Sequence, residues 1–216
     1  MLYIDSADRA AVERLLHTGL FAGITTNPTI LRRSGLGPAD ARDVHAWAVA
    51  AGAGVVYLQA TGATARELAD DGARLRDLGA DVVVKLPATT PGLTAARRLT
   101  GRGVPVLVTA VYHASQAVLA DAAGASGIAP YVGRMDDLGL DGVAQTRMLH
   151  EALAASGRGC RVLAASVRTL DQVAELSAAG VGDLTLSVAL CDALLDQEHS
   201  VAAAARFERD AAGVTD

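Results

Sequence analysis

One amine stands apart among the side chains of this sequence that can do chemistry. Of the 19 basic residues one alone is lysine, Lys85, and every other cation is arginine. Lys85 follows Asp81-Val82-Val83-Val84 and precedes Leu86-Pro87, so it ends an apolar run that reads as a strand buried on both faces. Burial disfavours the ammonium form. An amine whose pKa falls from about 10.4 toward neutrality becomes a nucleophile. It can then condense with a carbonyl to give an imine, which a guanidinium cannot do. The competing reading is an ordinary lysine at a strand end.

Other polar residues also end short apolar runs: Asp5, Thr25 with Thr26 and Asn27, Gln59, Thr109, Tyr131 with Arg134, and Ser166 with Arg168. Asp5 could hydrogen-bond substrate hydroxyls and help move protons, or it could cap the helix that follows. Thr25-Thr26-Asn27-Pro28 also reads as a turn before a helix, since Asn-Pro initiates turns. Arg134 and Arg168, with Ser166 between them in sequence, suit a phosphate through the planar fork of the guanidinium. Arg134 could instead pair with its neighbours Asp136 and Asp137.

The elements that must position these groups follow a regular alternation. Strand-like runs fall at 2–4, 23–25, 55–59, 82–85, 106–109, 127–131, 162–166 and 184–186. Helix-patterned segments separate them. Val12, Leu15 and Leu16 form one stripe, with Gly19 as its stop. Thr64 with Glu67 reads as a capping box, and Thr169 with Gln172 repeats the device, with Gly180 at the far end. Pro38 and Pro91 stand where first turns begin. Eight units over 216 residues, about 27 each, predict a small α/β fold, the (β/α)8 TIM barrel. A doubly wound open sheet would stop at five or six strands. No linker or charge block divides the chain, which predicts a single domain over 1–216. A C-terminal helical arm at about 201–216 serves as a lid or as an arm for a neighbouring subunit. In such a barrel, reactive groups belong at the C-terminal ends of strands, where the polar residues above fall.

Composition narrows the partners. A net charge of −5 leaves no basic excess for a polyanion, which argues against nucleic acid. With 51% apolar and 3% aromatic residues, the core is built from Ala, Val and Leu. No apolar run reaches the roughly 18 to 20 residues of a membrane span. The opening MLYIDSAD lacks a secretory pattern. These features predict a cytoplasmic protein with no membrane partner. Cys160 and Cys191 stand alone and read as buried reduced thiols, and the histidines show no metal-ligand spacing.

Taken together, six segments resemble the small-subunit transaldolases and fructose-6-phosphate aldolases. They are Ile4-Asp5-Ser6, Gly23-Ile24-Thr25-Thr26-Asn27-Pro28-Thr29, the 81–87 run around Lys85, Thr109-Ala110-Val111-Tyr112, the 129–137 run from Ala129 to Asp137, and Leu163-Ala164-Ala165-Ser166. Arg206-Phe207-Glu208 resembles the family's C-terminal arm. The resemblance implies class I aldol chemistry on sugar phosphates. Lys85 would form the imine, Asp5, Asn27 and Ser166 would hold the hydroxyls of a dihydroxyacetone unit, and Arg134, Ser166 and Arg168 would grip the phosphate. It implies no metal and no organic cofactor, because the imine is the electron sink. It also implies a homo-oligomer, pentamer or decamer, built through the C-terminal helix.

Two positions are similar to the aldolase branch. Gln59 and Tyr131 stand where transaldolases usually carry Glu and Phe, and the resemblance implies that Gln59 and Thr109 position a water while Tyr131 protonates the enamine. Arg168 and the 133–137 run look more like the transaldolases. Ser187 departs from the family's usual Pro. The alternatives to an aldolase are a strict transaldolase, moving the unit to an aldose phosphate, and a catalytically silent barrel that binds sugar phosphates.

Overall fold

The computed structural model describes residues 1–213. Eight parallel strands close into a barrel in the order β1 to β8, each hydrogen-bonded to the next and β1 to β8. The strands are β1 (Leu2–Asp5), β2 (Phe21–Thr25), β3 (Val55–Gln59), β4 (Val82–Pro87), β5 (Val106–Val111), β6 (Gly127–Pro130), β7 (Arg161–Val167) and β8 (Asp183–Leu186). The helices are α1 (Arg9–Leu16), α2 (Pro28–Arg33), α3 (Ala41–Ala50), α4 (Ala65–Arg76), α5 (Thr90–Thr100), α6 (Gln116–Ala122), α7 (Val132–Asp137), α8 (Gly142–Ser156), α9 (Leu170–Ala178), α10 (Val188–Leu195) and α11 (Glu198–Ala211). Two of them, α2 and α7, are short and lie in the loops after β2 and β6. A 3-10 turn over Pro38–Asp40 leads into α3.

Local signals in the sequence account for the helix starts. Thr64 accepts from the Glu67 N–H while Glu67 accepts from the Thr64 N–H, the expected capping box. At α9 the reciprocity is shifted: Thr169 accepts from Gln172 N–H, but Gln172 reaches back to the Arg168 N–H. Ser187 accepts from Leu190 N–H and caps α10, which gives the serine a role a proline could not fill. Asp8, not Asp5, caps α1 by accepting from Ala11 N–H at 3.2 Å. That leaves the Asp5 carboxylate for other work.

The core has two layers. The larger lies between the strands and the surrounding helices and includes Ile4, Leu15, Ile24, Val56, Val84, Leu86, Leu99, Val108, Ile128 and Leu176. A smaller one fills the barrel interior with Tyr3, Leu107, Ala129, Leu163 and Ala165. Tyr3 and Tyr57 meet there edge to face, with centroids 5.3 Å apart. Gly23 is required where β2 pairs with β3, since a Cβ there would stand 1.9 Å from the Val55 carbonyl oxygen. Because side chains alternate along each strand, every second residue continues the inward-facing set toward the C-terminal mouth. There the sequence places Asp5, Thr25, Lys85, Thr109 and Thr185.

Two strands end in the same local distortion. The β5–β6 register shifts between Val108 and Val111, and the β7–β8 register shifts between Ala164 and Val167. In each bulge one non-glycine residue takes a left-handed conformation, Ala110 at φ +57° and Ser166 at φ +57°. Such bulges re-aim side chains at the rims of barrels, at a cost in backbone energy. They also carry β5 past the expected end at Thr109. The last helix, α11, starts at Glu198, earlier than the expected arm, and is exposed along its length. Residues 214–216 of that arm lie outside the described residues. None of the described helices is long and apolar enough to cross a membrane.

Candidate active site

Lys85 lies at the floor of a cavity of about 130 Å³ at the C-terminal mouth of the barrel. The walls are Asp5, Asn27, Thr29, Ile30, Arg33, Tyr131, Arg134, Ala165 and Ser166, drawn from the ends of β1, β2, β6 and β7. Larger cavities exist elsewhere, one of 600 Å³ around Leu153, Cys160 and Met1, but they contain no strand-end amine.

The amine is 4% exposed, and its Nζ donates to the Thr26 carbonyl oxygen at 2.7 Å. Thr26 is itself fixed, since both its N–H and its hydroxyl donate to the Tyr57 carbonyl. Burial lowers the pKa of Lys85, and the Asp5 carboxylate opposes that shift. Burial likewise raises the pKa of Asp5, against the pull of Lys85, the Thr25 hydroxyl, Arg134 and Arg33. Each group therefore favours its neutral form more than it would in water, the pattern expected where a proton is to be exchanged. Thr25 donates to Asp5 Oδ1 at 2.6 Å and also bonds Thr185 at 2.6 Å, which fixes the carboxylate.

On the facing side the Thr109 hydroxyl donates to Tyr131 Oη at 2.9 Å. Burial raises the pKa of that phenol, so it keeps its proton. Tyr131 stacks edge to face with Tyr112 and carries the Arg134 guanidinium over its ring at 5.3 Å. Arg134 is thereby aimed into the cavity, and it pairs with neither adjacent acid.

The remaining expected site residues occupy different places. Asn27 does both jobs left open by its sequence: its Oδ1 accepts from Ile30 N–H to cap α2, and the residue lines the cavity. Ser166 lines it from the β7 bulge. Gln59 stands beside Lys85 in strand register but lines a small adjoining cavity with Thr26, Asn27 and Leu75. Arg168 is not in the wall of the Lys85 cavity. Its guanidinium meets the Asp137 carboxylate fork to fork, at 2.6 and 2.5 Å. It passes over Gly133, where a Cβ would come within 2.5 Å of Arg168 Nε and 2.6 Å of the Ser166 carbonyl oxygen.

Sequence reasoning missed Arg33 and Thr185. Arg33 follows another arginine at the end of α2, and nothing local distinguishes it from surface charge. Thr185 was visible only as a threonine inside an apolar strand. Both cysteines are buried and free, with thiols pushed up by burial to about 11 for Cys160 and about 12 for Cys191. Among the described residues no cluster of three His, Cys, Asp or Glu side chains is arranged to hold a metal ion.

Closed barrel, buried strand-end amine, flanking carboxylate and phenol together define an enzyme-like (β/α)8 barrel with its chemistry at the C-terminal face. Residues 2–215 match the family described as Transaldolase/Fructose-6-phosphate aldolase, and the chain belongs to that family. It is 32% identical over 215 residues to a protein of Thermus thermophilus named as a probable transaldolase, covering 97% of this chain and 96% of that one. Solved structures of mandelate oxidase share the fold. The complex with benzoyl-formic acid superposes with a TM-score of 0.63 at 16% identity, over 89% of this chain and 66% of that chain. The complex with (S)-2-phenylpropionate gives 0.61 at 16% identity, again over 89% and 66%. The chain thus spans about two thirds of the length of those structures, and at this identity they speak to the fold alone. Family membership makes the protein a transaldolase-type enzyme acting on sugar phosphates.

Proposed function

We propose that the enzyme is a class I aldolase that transfers or releases a dihydroxyacetone unit through an imine on Lys85. The observation that carries this reading is the sole lysine, buried at the floor of the cavity with its pKa lowered and Asp5 in the same wall. Neutral Nζ adds to the ketone of a ketose phosphate, and the resulting carbinolamine takes a proton from Asp5 and loses water to leave the protonated imine. Asp5 accepts the proton of the C4 hydroxyl while the C3–C4 bond breaks. The bonding pair moves into the imine to give an enamine, and the aldose phosphate departs. Asn27 and Ser166 hold the hydroxyls of the three-carbon unit, and Arg134 and Ser166 hold the phosphate. Arg168 joins them by exchanging Asp137 for the phosphate.

Two fates follow for the enamine. Addition to an acceptor aldehyde is transaldolase chemistry. Protonation at C3 and hydrolysis, returning free dihydroxyacetone and the lysine, is aldolase chemistry. Tyr131 favours the second, since burial keeps the proton on its phenol, and the Thr109 hydroxyl, donating to Oη, holds the group in place. Gln59, next to Lys85 in register, is available to order the hydrolytic water with Thr109. The exposed α11, with Val201 and Phe207 in solvent, supports assembly into a homo-oligomer through that helix. The resemblance further supports a cytoplasmic enzyme in a single-domain subunit.

Borohydride reduction in the presence of fructose 6-phosphate, followed by peptide mapping, tests the mechanism. The expected product is a reduced adduct on Lys85. Absence of any adduct at saturating substrate would overturn it. Release of glyceraldehyde 3-phosphate with and without erythrose 4-phosphate then separates the two fates: acceptor-independent turnover is expected, and strict dependence on acceptor would make the enzyme a transaldolase only.

A further inference from the structure

We infer that Arg33 is a specificity-determining residue that grips the substrate phosphate directly, from the side of the mouth opposite Arg134. The proposal rests on the reading of the site as a sugar-phosphate cavity. Arg33 ends α2, after β2, and Arg134 lies on α7, after β6. In a closed eight-strand barrel these are four strands apart, on opposite sides of the mouth. Both line the one cavity that holds Lys85.

The two guanidiniums also share a chemical state that Arg168 lacks. Among the described residues, neither Arg33 nor Arg134 takes part in an ion pair. On its other flank Arg33 borders a cavity that also exposes Asp8, Asp40 and Asp43. Two of those carboxylates are already engaged, Asp8 by Ala11 N–H and Asp40 by Gly37 N–H. An incoming phosphate therefore meets Arg33 without displacing a partner, whereas it reaches Arg168 only by displacing Asp137. The positive field of Arg33 is already felt inside the cavity, where it helps hold the Asp5 pKa down against burial. A planar fork on a long stem at the rim suits bidentate contact with phosphate oxygens.

Steady-state kinetics of Arg33→Gln and Arg33→Lys on fructose 6-phosphate and on unphosphorylated fructose test the assignment. Arg33→Gln should raise KM for the phosphorylated ketose by about tenfold or more, a much larger change than in its kcat or in the kinetics on unphosphorylated fructose. Arg33→Lys should recover only part of the loss, because it keeps the charge and loses the fork. Equal effects on both sugars, or no effect on either, would overturn direct contact. Borohydride trapping on the Arg33→Gln protein at saturating substrate should still label Lys85. Failure of trapping in the unsubstituted enzyme would sink the imine mechanism and leave the phosphate contact to be judged by the KM comparison.

Discussion

Tyr131 Oη receives a hydrogen bond from the Thr109 hydroxyl at 2.9 Å, which ties the phenol beyond β6 to the end of β5 in the wall above Lys85. Removing the phenolic proton should therefore separate the two fates of the enamine. In Tyr131→Phe, acceptor-independent release of dihydroxyacetone from fructose 6-phosphate should fall about 100-fold, the loss of one general acid. Transfer to erythrose 4-phosphate, which needs no protonation at C3, should persist within a few-fold. Coupled assays of glyceraldehyde 3-phosphate with and without acceptor read both numbers. Equal losses in the two assays would assign Tyr131 to steps before the fates divide.

The Arg168–Asp137 pair gives a prediction of sign. Both side chains are about half exposed, so the pair contributes little to stability. Asp137 nevertheless competes with any phosphate for the guanidinium, and the pairing holds its carboxyl pKa below the usual range. Asp137→Asn should free Arg168 and lower KM for phosphorylated substrates several-fold, with melting temperature unchanged within a degree or two. A rise in KM would instead mean that the pair serves to hold α7, and with it Arg134, in place.

Much of this arrangement was legible in the sequence, for identifiable reasons. Strands buried on both faces need mostly apolar runs, so all eight appear as such, and polar residues that end those runs mark the reactive face. Asp5 was ambiguous because Asp8, three residues on, serves equally well as a cap, and only the hydrogen bond to Ala11 decides between them. The partner of Arg168 could not be read from the sequence, since Asp137 is 31 residues away and meets it only through the packing of α7 beside β7. Arg33 was hidden for a related reason. Its role depends on where a two-turn helix ends over the mouth, and the adjacent Arg32 gives an identical local signal. The bulges at Ala110 and Ser166 were also invisible, because neither position carries the glycine that usually marks a positive φ.

Ser166 sits in that bulge at φ +57°, a conformation disfavoured for any residue with a Cβ by roughly 1–2 kcal/mol. Ser166→Gly should relieve the strain and raise the melting temperature by about 2 °C, less whatever glycine adds to unfolded-state entropy. Ser166→Ala keeps the strain and should show no such gain. Both remove the hydroxyl from the cavity and should raise KM for fructose 6-phosphate alike. Calorimetry of the pair decides the matter: equal stability of the two variants would show that the strain in the bulge is no larger than the unfolded-state entropy that glycine adds.

The single lysine permits a direct titration of the proposed nucleophile. Burial lowers the pKa of Lys85 from its ordinary 10.5, and Asp5 partly offsets the shift. The neutral, reactive fraction therefore rises with pH and reaches one half below 10.5. Acylation by an amine-selective reagent at a series of pH values, with peptide mapping to separate Lys85 from the terminal amine of Met1, gives the midpoint. It should lie below that of a free lysine side chain. Asp5→Asn removes the carboxylate that supports the charged form, so the midpoint should move lower still. In that variant the labelling of Lys85 at neutral pH should accelerate even as turnover falls, because the amine becomes more available while the group that accepts the C4 hydroxyl proton is gone. A midpoint at or above 10.5, or an upward shift in Asp5→Asn, would remove the physical basis for treating Lys85 as an activated amine.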